Sequence, residues 1–469
     1  MSDEHTSDNC TSDKCTPCPH TSDNCTSDKR TPCPHTSDKC ISEPPGYLRL
    51  FKIREFRAVF LAHALSLLGV VVSEVALTVL VYGLTGSPLL SALTFALGML
   101  PYLVGGTLLS GIADRYPPRR VLVVCDVVCA VCAALMALPV TPVFGLLALR
   151  CVIAVVSPVF NGTRMATLAD ILGDGDLFVL GRSLLRIVSQ SSVLVGFGLG
   201  GALLTVVSPR EALLITVGTF AASALFLRCG TQRRPARGGG GSALVKYSLG
   251  GARQVLGDRR IRALLLLLWA PPMFMVAPEA LAAPYADQIG VGVAGVGLLM
   301  CALPVGTIAA ELYAGSALSA TTRARIALPL ASFTLLPLTV YAVTPGLMWA
   351  MLALALAGAG SAYTLGVDRW FVDAVPQELR GRAMTVHTAG LMTIQGIGMA
   401  LAGLAAEFFA VSTVVAASGV LGTVCCLVLA AEVRATHRTD GGGEEGKPAN
   451  LREHVTESRD GADHHMTGG

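Results

Sequence analysis

Charge is scarce in this chain. Only 14% of its 469 residues are Asp, Glu, Lys or Arg, against about 25% in a soluble globular chain. A conventional water-soluble fold of this length is thereby excluded, and a mean hydropathy of +0.61 agrees. No polar block is long enough to form a soluble catalytic domain, so no Ser/His/Asp set of a hydrolase can be assembled. A phosphate-cradling loop is missing too. The glycine run GGGGSALVK (238–246) lacks the required spacing and no strand precedes it, which argues against an ATP-driven pump. No apolar run follows the start, so no signal peptide is expected. Cysteine is present but not as a secreted disulfide framework: six of the 14 lie before residue 41 and the rest fall in apolar runs, where Cys acts as a small hydrophobe.

What is there begins with a repeat. HTSDNCTSDKCTPCP (5–19) recurs as HTSDNCTSDKRTPCP (20–34) and then as HTSDKC (35–40). With almost no aliphatic residues, 1–45 cannot bury a core and reads as a disordered tail. Cys15, Cys18 and the histidines His5, His20 and His35 suggest metal binding. The second copy has Arg30 in place of Cys15 and so loses its CxxC. A tandem expansion is the simpler reading, and no metal site is assigned.

Twelve apolar segments follow, each near the roughly 20 residues that span a bilayer as a helix. They cover 57–83, 88–112, 120–139, 142–168, 183–207, 211–228, 261–284, 291–318, 324–343, 346–372, 383–407 and 411–433. The expected organisation is a bundle of six helices over 46–228, a basic linker over 229–260, a second bundle over 261–434 and a disordered tail over 435–469. Basic residues fix the orientation. Arg49, Lys52, Arg54 and Arg57 precede segment 1, and the turns after even-numbered segments carry Arg115, Arg119 and Arg120, Arg182 and Arg186, Arg323 and Arg325, and Arg380 and Arg382. The turns after odd-numbered segments carry only Arg210. Positive loops stay inside, so both termini are expected in the cytoplasm of a multi-pass plasma-membrane protein. The halves repeat as well. Asp170 with Gly181-Arg182 after segment 4 corresponds to Asp373 with Gly381-Arg382 after segment 10, the pattern of parallel six-helix repeats.

Ionisable groups inside apolar segments are costly and are functional candidates by default. Glu74 stands in segment 1 among Val71, Val72, Val75 and Ala76 with no neighbouring base. A tie to another helix through Gln190 or Arg150 is its structural alternative. Glu279 follows Pro278, a position compatible with the membrane rim. Glu311 and Asp126 lie toward the inner ends of segments 8 and 3, where cytoplasmic water or a nearby Arg would satisfy them. Arg150 lies in the outer half of segment 4. Asn161, Gln190 and Gln395 add neutral hydrogen-bonding groups.

The charged turn SGIADRYPPRRVL (110–122) resembles the signature between helices 2 and 3 of the major facilitator superfamily, Gly-x-Leu-Ala-Asp-Arg-x-Gly-Arg-Arg-x-Leu. Ala113, Asp114, Arg115, Arg119 and Leu122 match it, while Ser110, Pro117 and Pro118 depart from it. The run from Gly196 to Gly200 and Gly201 resembles the helix 5 motif of the family's antiporters, with Phe197 at the motif's Pro. Ordinary glycine packing is the alternative. The opening YLRLFKIREFRAVFLAHALSLLG (47–69), LTGSPLLSAL (84–93) and the turn Pro376–Arg382 resemble the drug and macrolide efflux branch.

The resemblance implies an all-α fold of twelve transmembrane helices in two six-helix bundles. It also implies export of an amphipathic small molecule in exchange for protons, with no cofactor beyond the proton motive force and no enzyme activity. A conformational latch is expected from Asp114, Arg115, Arg119, Arg120, Asp126 and Asp170, with Asp373, Pro376, Arg380, Gly381 and Arg382 in the turn facing it. Glu74, Glu279, Glu311 and Arg150 are the candidates for coupling to protons. A monomer in the lipid bilayer is expected, with no nucleic-acid partner. A siderophore exporter, an uptake permease and a non-transporting sensor are the alternatives, and metal export would rest on the tail alone.

Overall fold

The computed structural model describes residues 47–101, 115–173, 176–236 and 256–441. Among them there is helix and turn but no strand. That follows from the solvent: in hydrocarbon every backbone N–H and C=O must be satisfied within the segment, and an α-helix does this. In chain order the helices are α1 (Arg54–Thr85), α2 (Pro88–Met99), α3 (Pro118–Ala137), α4 (Val143–Leu172), α5 (Asp176–Leu203) and α6 (Pro209–Gly230). Then come α7 (Arg259–Met275), α8 (Gly292–Ala317), α9 (Ala320–Phe333), α10 (Leu347–Gly360), α11 (Arg380–Ala406) and α12 (Val411–Gly441). Among the described residues eleven stretches are long and apolar enough to cross a bilayer, and α2 is a shorter apolar helix. Residues 102–114, with Asp114 among them, lie outside the described residues, as does the repeat tail.

Local chemistry sets the ends. Gly86 closes α1 at φ 64°, and Ser87 opens α2 by accepting from Leu90 N, with Pro88 in the first turn. Gly suits the left-handed cap, Ser the N-cap and Pro the first turn, where its missing N–H costs nothing. Ser208 and Glu211 form a reciprocal capping box on α6, and Asp258 caps α7 through Arg260 N and Ile261 N.

Five segments differ from the sequence reading. Segment 7 is not continuous: α7 stops at Met275, and short helices Ala277–Ala280 and Ala282–Gln288 follow. Pro271, Pro272, Pro278 and Pro284 cannot donate to the helical ladder, so the segment breaks. Segment 9 ends as a 3-10 helix, Leu336–Val343, and segment 10 continues through Ser361–Tyr363 into Thr364–Ala374. Helix α5 begins at Asp176 rather than Ser183, so Gly181 and Arg182 are helical, Gly181 being buried beside Leu172 and Phe56. Helix α12 runs on to Gly441, past the end of the apolar run. Its backbone bonds are internal, so it needs no bilayer to persist into water.

Small residues set the contacts between helices. A Cβ on Gly69 of α1 would meet Thr219 of α6, and one on Gly358 of α10 would meet the Leu303 carbonyl of α8. The two halves meet near the α1–α2 turn. Gly403 of α11 lies on Leu89 and Ala92 of α2, and Gly201 of α5 on Gly297 of α8. The Glu407 carboxylate, just after α11, accepts from the Ser87 hydroxyl and from Leu89 N at 3.0 Å. Tyr82 donates to Asp287 at 3.3 Å. At the opposite end Arg186 of α5 and Asp368 are both exposed, and Asp368 lies within electrostatic reach of Arg186 and of Glu311. Large apolar side chains such as Phe144 (78% exposed) and Met348 (79%) point outward, as lipid-facing residues do.

Candidate functional site

Three helices build the site in the first half. Glu74 lies on α1, and Arg150 of α4 donates to its carboxylate; the two side chains are 18% and 5% exposed. Arg150 Nε also donates to the Thr94 carbonyl of α2 at 3.3 Å. The Thr78 hydroxyl, one turn beyond Glu74, donates to the Glu74 carbonyl at 2.8 Å and lies 2.8 Å from the Thr94 hydroxyl. The guanidinium passes over α2 where Gly98 leaves room: a Cβ there would sit 2.1 Å from Nη2 and 2.8 Å from Cζ of Arg150.

The second half adds one acid. Glu279 sits on the short helix Ala277–Ala280, in the break after α7, within electrostatic reach of Glu74. It lines a small cavity with Leu299, Met300, Leu303, Pro304 and Leu354. Glu279 thus faces the other half of the bundle. Arg150 pairs with Glu74, and Glu279 lies within electrostatic reach of that paired carboxylate across the junction of the halves. By charge counting the cluster is neutral when it also holds one proton or one ligand cation. Glu311 is not part of it and belongs with Asp368 and Arg186.

The structure describes most of the residues expected to form a latch. Asp114 lies outside the described residues. Arg115 and Arg120 are exposed, and Arg119 donates to the Arg228 carbonyl in the last turn of α6, a favourable place for a cation. Asp170 is exposed near the end of α4. Asp126 is 1% exposed; Ser66 donates to it at 3.3 Å and the Ser223 hydroxyl lies 2.5 Å from it, and of the two partners the sequence offered, water or a nearby Arg, Arg164 is within electrostatic reach. Asp373 pairs with Arg369 at 3.8 Å in the open. Pro376 precedes the 3-10 turn Gln377–Leu379, and Arg380 donates back to the Val375 carbonyl at 3.4 Å. Gly381 and Arg382 lie in the first turn of α11. The α5 glycines serve two contacts. Gly196 and Gly200 admit Val71 and Val75 of α1, and Gly201 meets the Gly297 backbone of α8.

Sequence reasoning passed over His63 and Arg164. Both are buried, and Arg164 donates to His63 Nδ1 while His63 Nε2 lies 2.9 Å from the Ser189 hydroxyl. The signal was available, since both are ionisable groups in apolar segments.

Similarity to known proteins accords with this architecture. The family model described as Major Facilitator Superfamily matches residues 59–364 and 272–460. No curated protein matches the chain. Among solved structures, a POT family transporter in complex with a thioalcohol-conjugated peptide is similar over 80% of this chain and 95% of its own, with 13% identity and a TM-score of 0.62. The nucleoside transporter NupG is similar over 81% and 99%, with 15% identity and a TM-score of 0.63. A bacterial homolog of the human lysosomal transporter Spinster, inward-facing and unoccupied, is similar over 82% and 97%, with 18% identity and a TM-score of 0.60. At these identities the likeness is one of fold. With the family model matching most of the chain and many apolar helices in the fold, this multi-pass membrane protein belongs to the Major Facilitator Superfamily of transporters.

Proposed function

We propose that the protein exports an amphipathic, cationic small molecule from the cell in exchange for protons, with Glu74 as the coupling acid. The observation that carries this reading is the Glu74–Arg150 pair with Glu279 beside it at the junction of the halves. One fixed positive charge and two carboxyls leave room for one more positive charge. A proton and a ligand cation compete for that place, and such competition is the physical basis of antiport. Alternating access by rocking of the two repeats would present the place to each side in turn. The resemblance of segments 1 and 2 to the efflux branch supports export. The basic turns support a plasma-membrane orientation with both termini in the cytoplasm. In that orientation the α1–α2 turn is external, and the conformation here is closed outside.

Everted membrane vesicles test the reading, with the amphipathic cation ethidium as probe. Wild-type vesicles should accumulate it when a pH gradient is imposed and lose it when the gradient is collapsed. Glu74→Gln keeps the shape and removes the titration, so it should reduce gradient-driven ethidium accumulation to background while membrane expression and binding of a neutral ligand stay near wild type. Gradient-driven accumulation at the wild-type rate in Glu74→Gln would remove Glu74 from the coupling role and leave Glu279 as the acid to test.

A further inference from the structure

A second buried polar cluster lies in the first half, about 16 Å along α1 from Glu74 at 1.5 Å per residue. Asp126 of α3 is at its centre. The groups facing it are Ser66 and His63 of α1, Arg164 of α4 and Ser223 of α6, with Cys125 and Cys129 on its own helix. Asp126, His63 and Ser223 are each at most 1% exposed. Beside them is a cavity of about 90 Å³, where one water needs about 10–15 Å³.

The hydrogen-bond pattern specifies protons. The Ser223 hydroxyl lies 3.0 Å from the Ala62 carbonyl and 2.5 Å from Asp126 Oδ2. A hydroxyl has one hydrogen to donate. If it goes to Ala62, the contact with Asp126 is a hydrogen bond only when the acid carries a proton and donates it to Ser223 Oγ. If Asp126 is ionised, Ser223 turns its hydrogen to the carboxylate and the link to α1 is lost. His63 is constrained in the same way. A guanidinium has no acceptor, so Nδ1 accepts from Arg164 and Nε2–H faces Ser189, whose hydroxyl donates to the Leu185 carbonyl at 2.9 Å. The ring is neutral, and Arg164 is engaged with it while remaining in electrostatic reach of Asp126.

We infer that Asp126 is a second proton-binding site, separate from Glu74, whose occupancy sets whether Ser223 ties α6 to the backbone of α1. Proton loss leaves a carboxylate: the proton passes to water in the cavity, Ser223 swings to Asp126, and the Arg164 charge is drawn from the ring toward the acid. Cys129 lies within electrostatic reach of both Asp126 and Arg150, so the two clusters are neighbours along α3. Use of this site in transport rests on the proton-coupled reading above, but its titration does not.

Infrared difference spectroscopy of the full-length protein in lipid bilayers, stepped from about pH 5 to about pH 9 to span the range in which perturbed carboxyls titrate, tests the inference. A protonated-carboxyl stretch should appear on acidification, vanish in Asp126→Asn and survive in Glu74→Gln. Ser223→Ala, which removes the hydrogen-bond partner and keeps the acid, should shift the frequency of that band and retain it; this variant also serves if Asp126→Asn does not fold. A spectrum in which neither Asp126→Asn nor Ser223→Ala alters any titrating carboxyl band would overturn the site. If Glu74→Gln alone removed the band, the coupling role of Glu74 would stand and the second site would fall.

Discussion

Arg150 is held by two partners, and each is costly to remove. Its guanidinium bonds the Glu74 carboxylate and the Thr94 carbonyl with only 5% of the side chain exposed. Breaking a buried pair by deleting one member costs about 3–5 kcal/mol, because the other charge is left uncompensated. Gly98 is the residue that makes the geometry possible, since any Cβ there falls on the guanidinium. Gly98→Val should therefore push Arg150 from Glu74 while the helix itself persists. The expected result is at least about a tenfold loss of gradient-driven ethidium accumulation, or about 1.4 kcal/mol in barrier, with membrane expression near wild type. A wild-type rate in Gly98→Val would show that the guanidinium needs no such clearance. Both charged members of the pair were legible in the sequence as polar residues in apolar segments. Their partnership was legible only as one alternative beside Gln190, because they lie 76 residues apart and on different helices.

Among the helices, prolines and glycines decide more than apolar periodicity does. The proline-broken stretch after α7 carries Glu279, which lies within electrostatic reach of Glu74. The α5–α8 contact depends on two glycines facing each other, with a Cβ on Gly201 falling 2.5 Å from the Gly297 Cα. Here the obstacle is backbone, which cannot rotate aside. Overpacking such a contact costs about 1–3 kcal/mol, and the cost falls on the conformation that makes it. Gly201→Val should thus disfavour the state closed near the α1–α2 turn. The measurement is the labelling rate of a cysteine placed at Gly198, which sits in the same contact near Cys301. Labelling from the α1–α2 side should rise with Gly201→Val, and an unchanged rate would mean that the halves meet there without needing the small residue. The sequence showed the glycines of α5 but left ordinary packing open. The structure shows contacts of α5 both within its half and across to the other.

At the scale of the whole molecule, the state is set by which ends of the halves touch. Glu407, from the second half, caps the start of α2 in the first by accepting from Leu89 N at 3.0 Å and from the Ser87 hydroxyl. A carboxylate at a helix N-terminus is favourable by about 0.3–1 kcal/mol when exposed. Glu407→Ala should move the equilibrium between closed and open forms of this end by the corresponding factor of roughly two to five. Spin labels on the two halves, read as a distance distribution, would report the shift as growth of the longer-distance population. A distribution identical to wild type would place the closing energy elsewhere, in the glycine contacts. Tyr82 and Asp287 at the same end offer a second, weaker tie at 3.3 Å.

The sequence by itself determined the solvent and the class of fold. With so little charge the chain belongs in hydrocarbon, and apolar runs of about 20 residues, too long for barrel strands, satisfy their backbones as helices. It also marked Glu74, Arg150, Glu279 and Asp126, because an ionisable group in such a run is expensive wherever it points. Only the tertiary structure decided which of these meet. Pairing depends on helix rotation and on the proline break after α7, and neither is encoded by a residue's own neighbours. Thus Glu279 faces Glu74 rather than water, Asp126 is buried under two serines, and His63 with Arg164 forms a cluster drawn from two separate helices. Those meetings come from long-range packing across many residues, which local periodicity does not report.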